Sequence, residues 1–156
     1  VAMNAEIVLS GLKGKRTVSA NDFYLGLFET DIMPDEMLIG INYPCLKTNE
    51  YIVFDEVCRR HGDYAMAGLI ARVELENNNI KELKLVFFAT GDRPDIAHET
   101  AKIIINEGYD YLLTKKTLNS ELEFAGDLNS SPEMKLHLAT ILINKALKKI
   151  GEINAR

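Results

Sequence analysis

The chain has 156 residues, a formal net charge of −5 at pH 7 and a hydrophobic fraction of 47%, which is ample for the packed core of one domain. The acidic charge balance and the short Lys/Arg runs argue against nucleic acid as a partner. No apolar run approaches the roughly 18–20 residues of a membrane span and no signal-peptide pattern opens the chain, so we expect a cytoplasmic protein without a membrane span.

The cysteines and histidines predict no metal site. Cys45 and Cys58 lie far apart and form no CxxC pattern, so we expect free thiols and no disulfide. His61, His98 and His137 share no metal-ligand spacing. We therefore expect no metal bound by this chain.

The chain begins with a predicted β-hairpin. Residues 4–10 alternate as a strand, residues 11–15 form a turn punctuated by glycine, and residues 16–19 return as a second strand. An isolated two-stranded hairpin is marginally stable. We therefore expect this hairpin to complete a sheet supplied by a segment that is not part of this sequence.

An apolar and aromatic segment follows the hairpin. Ser19 is a candidate cap for a short helical turn, and residues 23–28 form a dense cluster that we expect to be a hydrophobic plug between subdomains. Pro34 interrupts the pattern, so we place a domain boundary near residues 31–36. Residues 37–43 then alternate as a strand.

The middle of the chain predicts a meander. Strands are expected at about residues 51–59, 64–76 and 80–90, and the Asn-rich segment 76–79 suits a tight hairpin because Asn tolerates the left-handed conformation. A helix with one apolar face is expected at residues 95–107. Together they predict an antiparallel sheet of about three strands with helices.

Two further helices complete an α+β fold. A short helix is expected around residues 117–124. The final helix begins after a Ser130 or Ser131 cap, with Pro132 in its first turn, and is expected to close at Gly151. Its polar face is not strongly cationic, so we expect it to pack on the sheet or its neighbouring helices and not on a membrane surface.

The turn Arg59-Arg60-His61-Gly62-Asp63-Tyr64 concentrates the unusual side chains. Gly62 can adopt a positive φ, Asp63 offers two acceptor oxygens, and Tyr64 presents a planar ring with a polar tip. The segment is either the edge of a ligand site or a solvated hairpin turn whose tyrosine packs at the sheet margin.

Five strings occur in a family's order: NAEIVLSG, KRTVSANDFYLGLFETDIMPDEMLIGINYP, RRHGDYAMAG, GDRPDIAHETA and SSPEMKLHLATILINKAL. With them the chain resembles the C-terminal part of the FAD-binding medium subunit of molybdenum hydroxylases of the carbon monoxide dehydrogenase and xanthine dehydrogenase type. The resemblance implies that residues 34–156 form the flavoprotein C-terminal domain. It implies that residues 1–33 are a remnant of the second FAD-binding subdomain.

The resemblance also implies a function. The chain would shield the flavin while electrons pass from iron–sulfur clusters through FAD to an acceptor. The implied partners are an N-terminal FAD-binding half, an iron–sulfur small subunit with 2Fe–2S clusters, and a large subunit with the molybdenum cofactor. Because the Gly-rich loops for the FAD pyrophosphate lie upstream in that family, FAD would be shared with the N-terminal half and the isolated chain would be inactive.

The implied cofactor contacts lie in the turn. Tyr64 would cover one face of the flavin ring, Asp63 and Gly62 would shape the loop, and Arg59 or Arg60 would meet anionic groups or a partner subunit. Residues 22–30 match a family pattern DFxxGxFxT and would line the flavin cleft.

Two positions depart from the family. Phe88-Ala89 replaces adjacent glycines, which puts in doubt any contact that needed close backbone approach. Met134-Lys135 replaces a common Tyr-Arg pair, so no role of that pair carries over.

Two other functions remain open. The chain could be a non-catalytic interaction module that docks the other half or the other subunits of such a complex. It could also be an unrelated small-molecule-binding α+β domain, which would need a closed pocket lined from within this chain. No Ser/His/Asp or Cys/His motif favours a hydrolase.

Overall fold

The computed structural model describes residues 1–154 and contains two compact units, one of residues 1–45 and one that begins at Leu46. The division follows Cys45, and not the segment 31–36 where the sequence places a boundary. The reason is that the strand formed by residues 37–42 hydrogen-bonds to the first strand of the chain and so belongs to the first unit.

The first unit is built on a three-stranded antiparallel sheet. Its elements are β1 (Glu6–Gly11), β2 (Gly14–Ser19), α1 (Ala20–Phe23), β3 (Tyr24–Gly26), β4 (Glu29–Thr30) and β5 (Met37–Asn42). The strand order is β2-β1-β5. The expected hairpin is present, but the expectation that its sheet comes wholly from elsewhere is wrong, because β5 supplies a third strand.

The core of the first unit is small, and the aromatic segment contributes little to it. Its buried hydrophobic residues are Ala5, Ile7, Leu9, Ala20 and Phe23. Of the predicted plug, only Phe23 is buried, whereas Tyr24, Leu25, Leu27 and Phe28 are exposed. The chain turns between β3 and β4, where Phe28 has a φ of 57°, so these four side chains add nothing to the core of this unit.

The second unit is an antiparallel sheet with three helices. Its elements are β6 (Glu50–Cys58), β7 (Ala65–Glu76), β8 (Asn79–Phe88), β9 (Asp95–Ile96), α2 (His98–Glu107), α3 (Tyr111–Glu121) and α4 (Pro132–Asn154). The strand order is β6-β7-β8-β9. The prediction of an α+β fold with an antiparallel sheet and helices is confirmed.

Local signals explain most of the element ends. Asn77 and Asn78 have φ of 49° and 65° in the β7–β8 turn, as the sequence predicts. Asp110 caps α3 through Leu113 N at 2.7 Å, so this helix begins earlier than expected. The helix α4 continues past Gly151 to Asn154, because Ile150 and Ile153 still pack on the core.

The helices bury one face of the second sheet. Alternate residues of β7 and β8, together with the apolar residues of α4, form one cluster: Ala67, Leu69, Ala71, Val73, Leu85, Phe87, Ala139, Leu142, Ile143, Ala146 and Ile150. The other face carries Phe54, Gly68, Ile70 and Phe88 near one end and charged residues near the other. Among residues 1–154, none of the helices combines the length and apolar character needed to cross a bilayer.

Candidate functional site

The β6–β7 hairpin positions the predicted site. Cys58 and Ala65 are the last paired residues of the two strands, so residues 59–64 form the connecting loop. Asp63 N donates to Arg60 O at 3.1 Å, which closes the turn. Gly62 has a φ of 83°, a value that glycine adopts without steric cost. The loop conformation therefore depends on Gly62.

Asp63 lies at the centre of the loop's polar contacts. Its Oδ1 accepts a hydrogen bond from Tyr64 N at 3.0 Å. Its Oδ2 lies 3.7 Å from Arg59 Nη2 and 3.5 Å from Arg60 Nε. This Oδ2 is buried and has no hydrogen-bond partner in the described residues. Both distances are too long for hydrogen bonds, so Asp63 attracts the two guanidinium groups without fixing them.

The loop's cationic and aromatic groups face solvent. The side chains of Arg59 and Arg60 are 57% and 84% exposed, and Tyr64 is 93% exposed. The tyrosine therefore does not pack at the sheet margin, whereas the loop itself is solvated, as the interpretation of a solvated hairpin turn expects. The hairpin presents a planar ring beside two cations, an arrangement suited to stacking on a flat ligand that carries anionic groups.

A second polar cluster lies where β8 ends. Lys135 Nζ donates to Ala89 O at 2.8 Å and lies 2.8 Å from Asp127 Oδ2, with only 6% of the lysine side chain exposed. The hydrogen bond from Lys135 holds the pKa of Asp127 below its usual value. Ala89 itself has a left-handed φ of 60°. The buried lysine thus fixes a backbone turn that a glycine would adopt more readily.

This cluster joins the two departures from the family pattern. One departure, Lys135, hydrogen-bonds the backbone of the other, Ala89. Next to it, Phe88 stacks on Phe54 with ring centroids 5.8 Å apart and planes at 15°. The space that glycine would leave at residue 88 is filled by the protein's own aromatic ring. Sequence reasoning gave no signal for the contact between Lys135 and Ala89, because the two residues lie far apart in the chain.

An ionic network covers the far end of the same sheet face. Glu74 lies 2.7 Å from Lys47 Nζ and 2.9 Å from Lys81 Nζ, and Glu50 lies 2.9 Å from Arg72 Nη2. Hydrogen bonds from the two lysines lower the pKa of Glu74 to about 2. Each buried carboxylate has a cationic partner, so this network stabilises the fold and contributes no unpaired group to a site.

Some cavities of the second unit are lined by residues outside the hairpin loop. One of about 330 Å³ is lined by Asp92, Arg93, Asp95 and Glu121 with four other residues. Glu121 is already engaged, because its carboxylate accepts hydrogen bonds from Glu99 N and Thr100 N at the start of α2. Burial raises the pKa of Asp95. Within the described residues, no group of three or more His, Cys, Asp or Glu is arranged to hold a metal ion.

Comparisons with known proteins agree with this architecture. Residues 52–150 match the model of the CO dehydrogenase flavoprotein C-terminal domain. The chain is 32% identical to the glyceraldehyde dehydrogenase medium chain of Sulfolobus acidocaldarius, over 96% of this chain and 54% of that protein. It is 23% identical to the carbon monoxide dehydrogenase medium chain of Afipia carboxidovorans, over 94% of this chain and 52% of that protein.

The fold is shared with a solved oxidoreductase. Quinoline 2-oxidoreductase from Pseudomonas putida 86 superposes with a TM-score of 0.87 at 23% identity, covering 99% of this chain and 55% of that one. The chain spans about half the length of the relatives that it matches. It belongs to the CO dehydrogenase flavoprotein C-terminal domain family, and its resemblance to the C-terminal part of the medium subunits of molybdenum hydroxylases is confirmed.

Proposed function

We propose that this chain forms the C-terminal portion of the FAD-carrying medium subunit of a molybdenum hydroxylase, where it shields the flavin. The observation that carries the proposal is the loop of residues 59–64, which presents the 93% exposed Tyr64 ring within a chain of this family. Relatives named as medium chains of glyceraldehyde and carbon monoxide dehydrogenases support it.

The loop fits the ring end of FAD. Tyr64 supplies a flat surface for stacking, and Gly62 has open space where a side chain would stand. Asp63 Oδ2 is a buried acceptor without a hydrogen-bond partner in the described residues, which suits an N–H donor such as the flavin imide. The sequence has no Gly-rich phosphate loop, so the pyrophosphate would be held by an N-terminal half.

Bound FAD would supply the redox chemistry: it would accept electrons from iron–sulfur clusters and pass them on to an acceptor. The chain's own residues orient and protect it. Tyr64 covers one ring face and excludes water, and Asp63 holds the backbone of the loop through Tyr64 N. Arg60, with its guanidinium in solvent, meets anionic groups of the cofactor or of a partner subunit, and Arg59 is placed to do the same.

The proposed role requires three partners for this chain. The N-terminal FAD-binding half completes the flavin site, a small subunit with 2Fe–2S clusters delivers electrons, and a large subunit with the molybdenum cofactor hydroxylates the substrate. We place the complex in the cytoplasm and expect the isolated chain to be inactive. We also assign the first unit, residues 1–45, to the second FAD-binding subdomain and the second unit, which begins at Leu46, to the C-terminal domain.

An absorbance titration with FAD tests the proposal. The chain is titrated alone and then as a mixture with the polypeptide that carries the N-terminal half. Uptake only in the mixture, with a shifted and vibronically resolved flavin band, is the expected result. Tight uptake by the chain alone would reveal a phosphate site within this chain and contradict the shared site. Absence of uptake in both samples would overturn the flavin role.

A non-catalytic interaction module is the second candidate. Apolar side chains of the first unit, Leu25, Leu27 and Phe28 among them, are exposed, as expected for a docking surface. In the FAD titration this candidate predicts a stable complex with the N-terminal half or another subunit but no change in the flavin spectrum. Size-exclusion chromatography of the same mixture separates this outcome from a lack of association.

A further inference from the structure

Two buried hydroxyl groups near the end of β8 have no hydrogen-bond partner among the described residues. They are Thr90 Oγ1 and Ser130 Oγ, on residues that are 1% and 6% exposed. A buried hydroxyl without a partner costs free energy, and native proteins rarely leave one unpaired. The two hydroxyls therefore require a partner other than the protein atoms around them.

Both hydroxyls belong to the polar cluster around Lys135. Lys135 Nζ donates to Ala89 O at 2.8 Å, and Thr90 is the next residue in the chain. The same ammonium group lies 2.8 Å from Asp127 Oδ2. Asp127 Oδ1 in turn accepts a hydrogen bond from Ser130 N, and Asp127 N donates to Ser130 O, both at 2.9 Å. Lys135 thus connects the segment that carries Thr90 to the segment that carries Ser130.

The ammonium group of Lys135 has one more donor than this part of the chain accepts. An ammonium carries three N–H groups, and within residues 1–154 two acceptors, Ala89 O and Asp127 Oδ2, lie at hydrogen-bond distance. Only 6% of the lysine side chain is exposed, so bulk solvent has little access to the third. The cluster therefore contains three buried groups that require a partner, one N–H and two hydroxyls.

The charges of the cluster favour a neutral partner. Lys135 and Asp127 already form an ion pair, and a further buried ion would need a counter-charge of its own. Water is neutral and both donates and accepts hydrogen bonds. Buried waters typically make about three hydrogen bonds to polar groups that are otherwise unpaired. One water can accept a hydrogen bond from the lysine and exchange hydrogen bonds with both hydroxyls.

Two cavities border the cluster. One of about 330 Å³ is lined by Gly91, which follows Thr90, and by Ala125, whose N–H donates to Thr90 O. The other, of about 400 Å³, is lined by Leu136, which follows the lysine, and by Pro132 at the start of α4. These cavities bring solvent to the residues next to the cluster.

We propose that a single water molecule is bound in this cluster as a constant part of the fold, held by Lys135 Nζ, Thr90 Oγ1 and Ser130 Oγ. The water joins the end of β8 to the segment before α4. Because Gly68 of β7 pairs with Phe88 at the end of β8, this joint lies at the same end of the sheet as the loop of residues 59–64. The water site is independent of the flavin role of that loop.

A crystal structure of the chain that shows ordered solvent tests the proposal directly. We expect one water within about 3.2 Å of all three atoms, the upper range of a hydrogen bond. A direct hydrogen bond between the two hydroxyls would overturn the proposal. So would two waters that each contact one hydroxyl, or well-defined side chains without a water between them.

The sign of a stability change provides a second test. If the Thr90 hydroxyl is unpaired, Thr90→Val removes a buried polar group and stabilises the chain, whereas loss of a hydrogen bond to the water destabilises it. We expect the midpoint of urea unfolding to fall by about 0.5 M. A midpoint that rises or stays unchanged would overturn the proposal.

A double variant distinguishes one shared water from two separate partners. Ser130→Ala should also lower the urea midpoint. Combined with Thr90→Val it should lower the midpoint by less than the sum of the two single changes, because both hydroxyls bind the same water. Additive changes would assign the hydroxyls to different partners and overturn the proposal. Circular dichroism without urea should be the same for the three variants and the native chain, which excludes a folding defect.

Discussion

The Phe88 ring occupies the space in which a side chain on Gly68 would have to lie. The two residues are directly paired between β8 and β7, and a Cβ atom on Gly68 would lie 2.0 Å from Phe88 Cζ. Glycine in the middle of a long strand normally weakens it. Here it allows Phe88 to lie flat on the sheet and to stack on Phe54.

Gly68→Ala should therefore destabilise the second unit. The added methyl group forces Phe88 off the sheet, and overpacking of this kind costs about 1–3 kcal/mol in the free energy of unfolding. Urea denaturation followed by circular dichroism measures the change. Gly151→Ala is the control, because a Cβ there has nothing within 4 Å and alanine favours the helix. Equal stability of Gly68→Ala and the native chain would contradict the packing described here.

Lys135→Met should also destabilise the protein. The substitution keeps most of the side-chain volume but removes the hydrogen bond to Ala89 O and the ion pair with Asp127. Loss of a charged hydrogen bond at a buried site costs about 1.5–3 kcal/mol. Lys148→Met, at an exposed position of the same helix, is the matched control. If both variants unfold at the same urea concentration, the lysine does not hold this turn.

The stability of helix α2 should depend on Glu121, a residue of α3 that caps its N-terminus. Ala97 at its N-terminus gives no side-chain cap, and Glu121 of α3 instead accepts hydrogen bonds from Glu99 N, Thr100 N and Thr100 Oγ1. Glu121→Ala should lower the free energy of unfolding by about 1–2 kcal/mol, as loss of a cap does. Glu123→Ala, which changes an exposed carboxylate nearby, should change it little. Thermal unfolding of the two variants distinguishes them.

Low pH should lower the stability of the second unit, because Glu74 becomes protonated and loses its ion pairs. Its pKa is about 2 in the folded chain, below the ordinary value of 4.5, because Lys47 and Lys81 hydrogen-bond the carboxylate. A lowered folded pKa gives stability that is fully present above about pH 4.5 and is lost as the pH falls toward 2. Glu74→Gln should therefore be less stable than the native chain at pH 6 but lose less stability between pH 4.5 and 2.

A series of urea denaturations across this pH range checks the expectation. Glu56→Gln changes an exposed carboxylate on the same sheet and serves as the control, with a pH profile like that of the native chain. Parallel profiles for Glu74→Gln and the native chain would show that the ion pairs of Glu74 contribute nothing to the acid sensitivity.

The sequence predicts the second unit well because its signals are local. Alternating apolar residues give β7 and β8, Asn77 and Asn78 give the turn between them, and Pro132 marks the start of α4. Gly151 fails as a stop signal because packing of Ile153 on the core outweighs the weak helix propensity of glycine. Local signals therefore fix the elements better than their ends.

Contacts between distant parts of the chain are what the sequence does not reveal. The pairing of β5 with β1, the bond from Lys135 to Ala89 and the Glu121 cap all join segments separated by at least 20 residues. The candidate loop was located from its residue types alone. The solvent exposure of Tyr64 depends on what packs around the hairpin, which residue order does not specify.

The flavin affinity of Tyr64 variants tests the central claim most directly. In the complex with the N-terminal half, Tyr64→Ala should weaken FAD binding about tenfold, the effect of losing an aromatic contact worth about 1.4 kcal/mol, and should shift the flavin potential. Tyr64→Phe should retain most of the affinity, and His61→Ala, in the same loop, all of it. Unchanged affinity and potential in both Tyr64 variants would contradict a flavin contact at this hairpin.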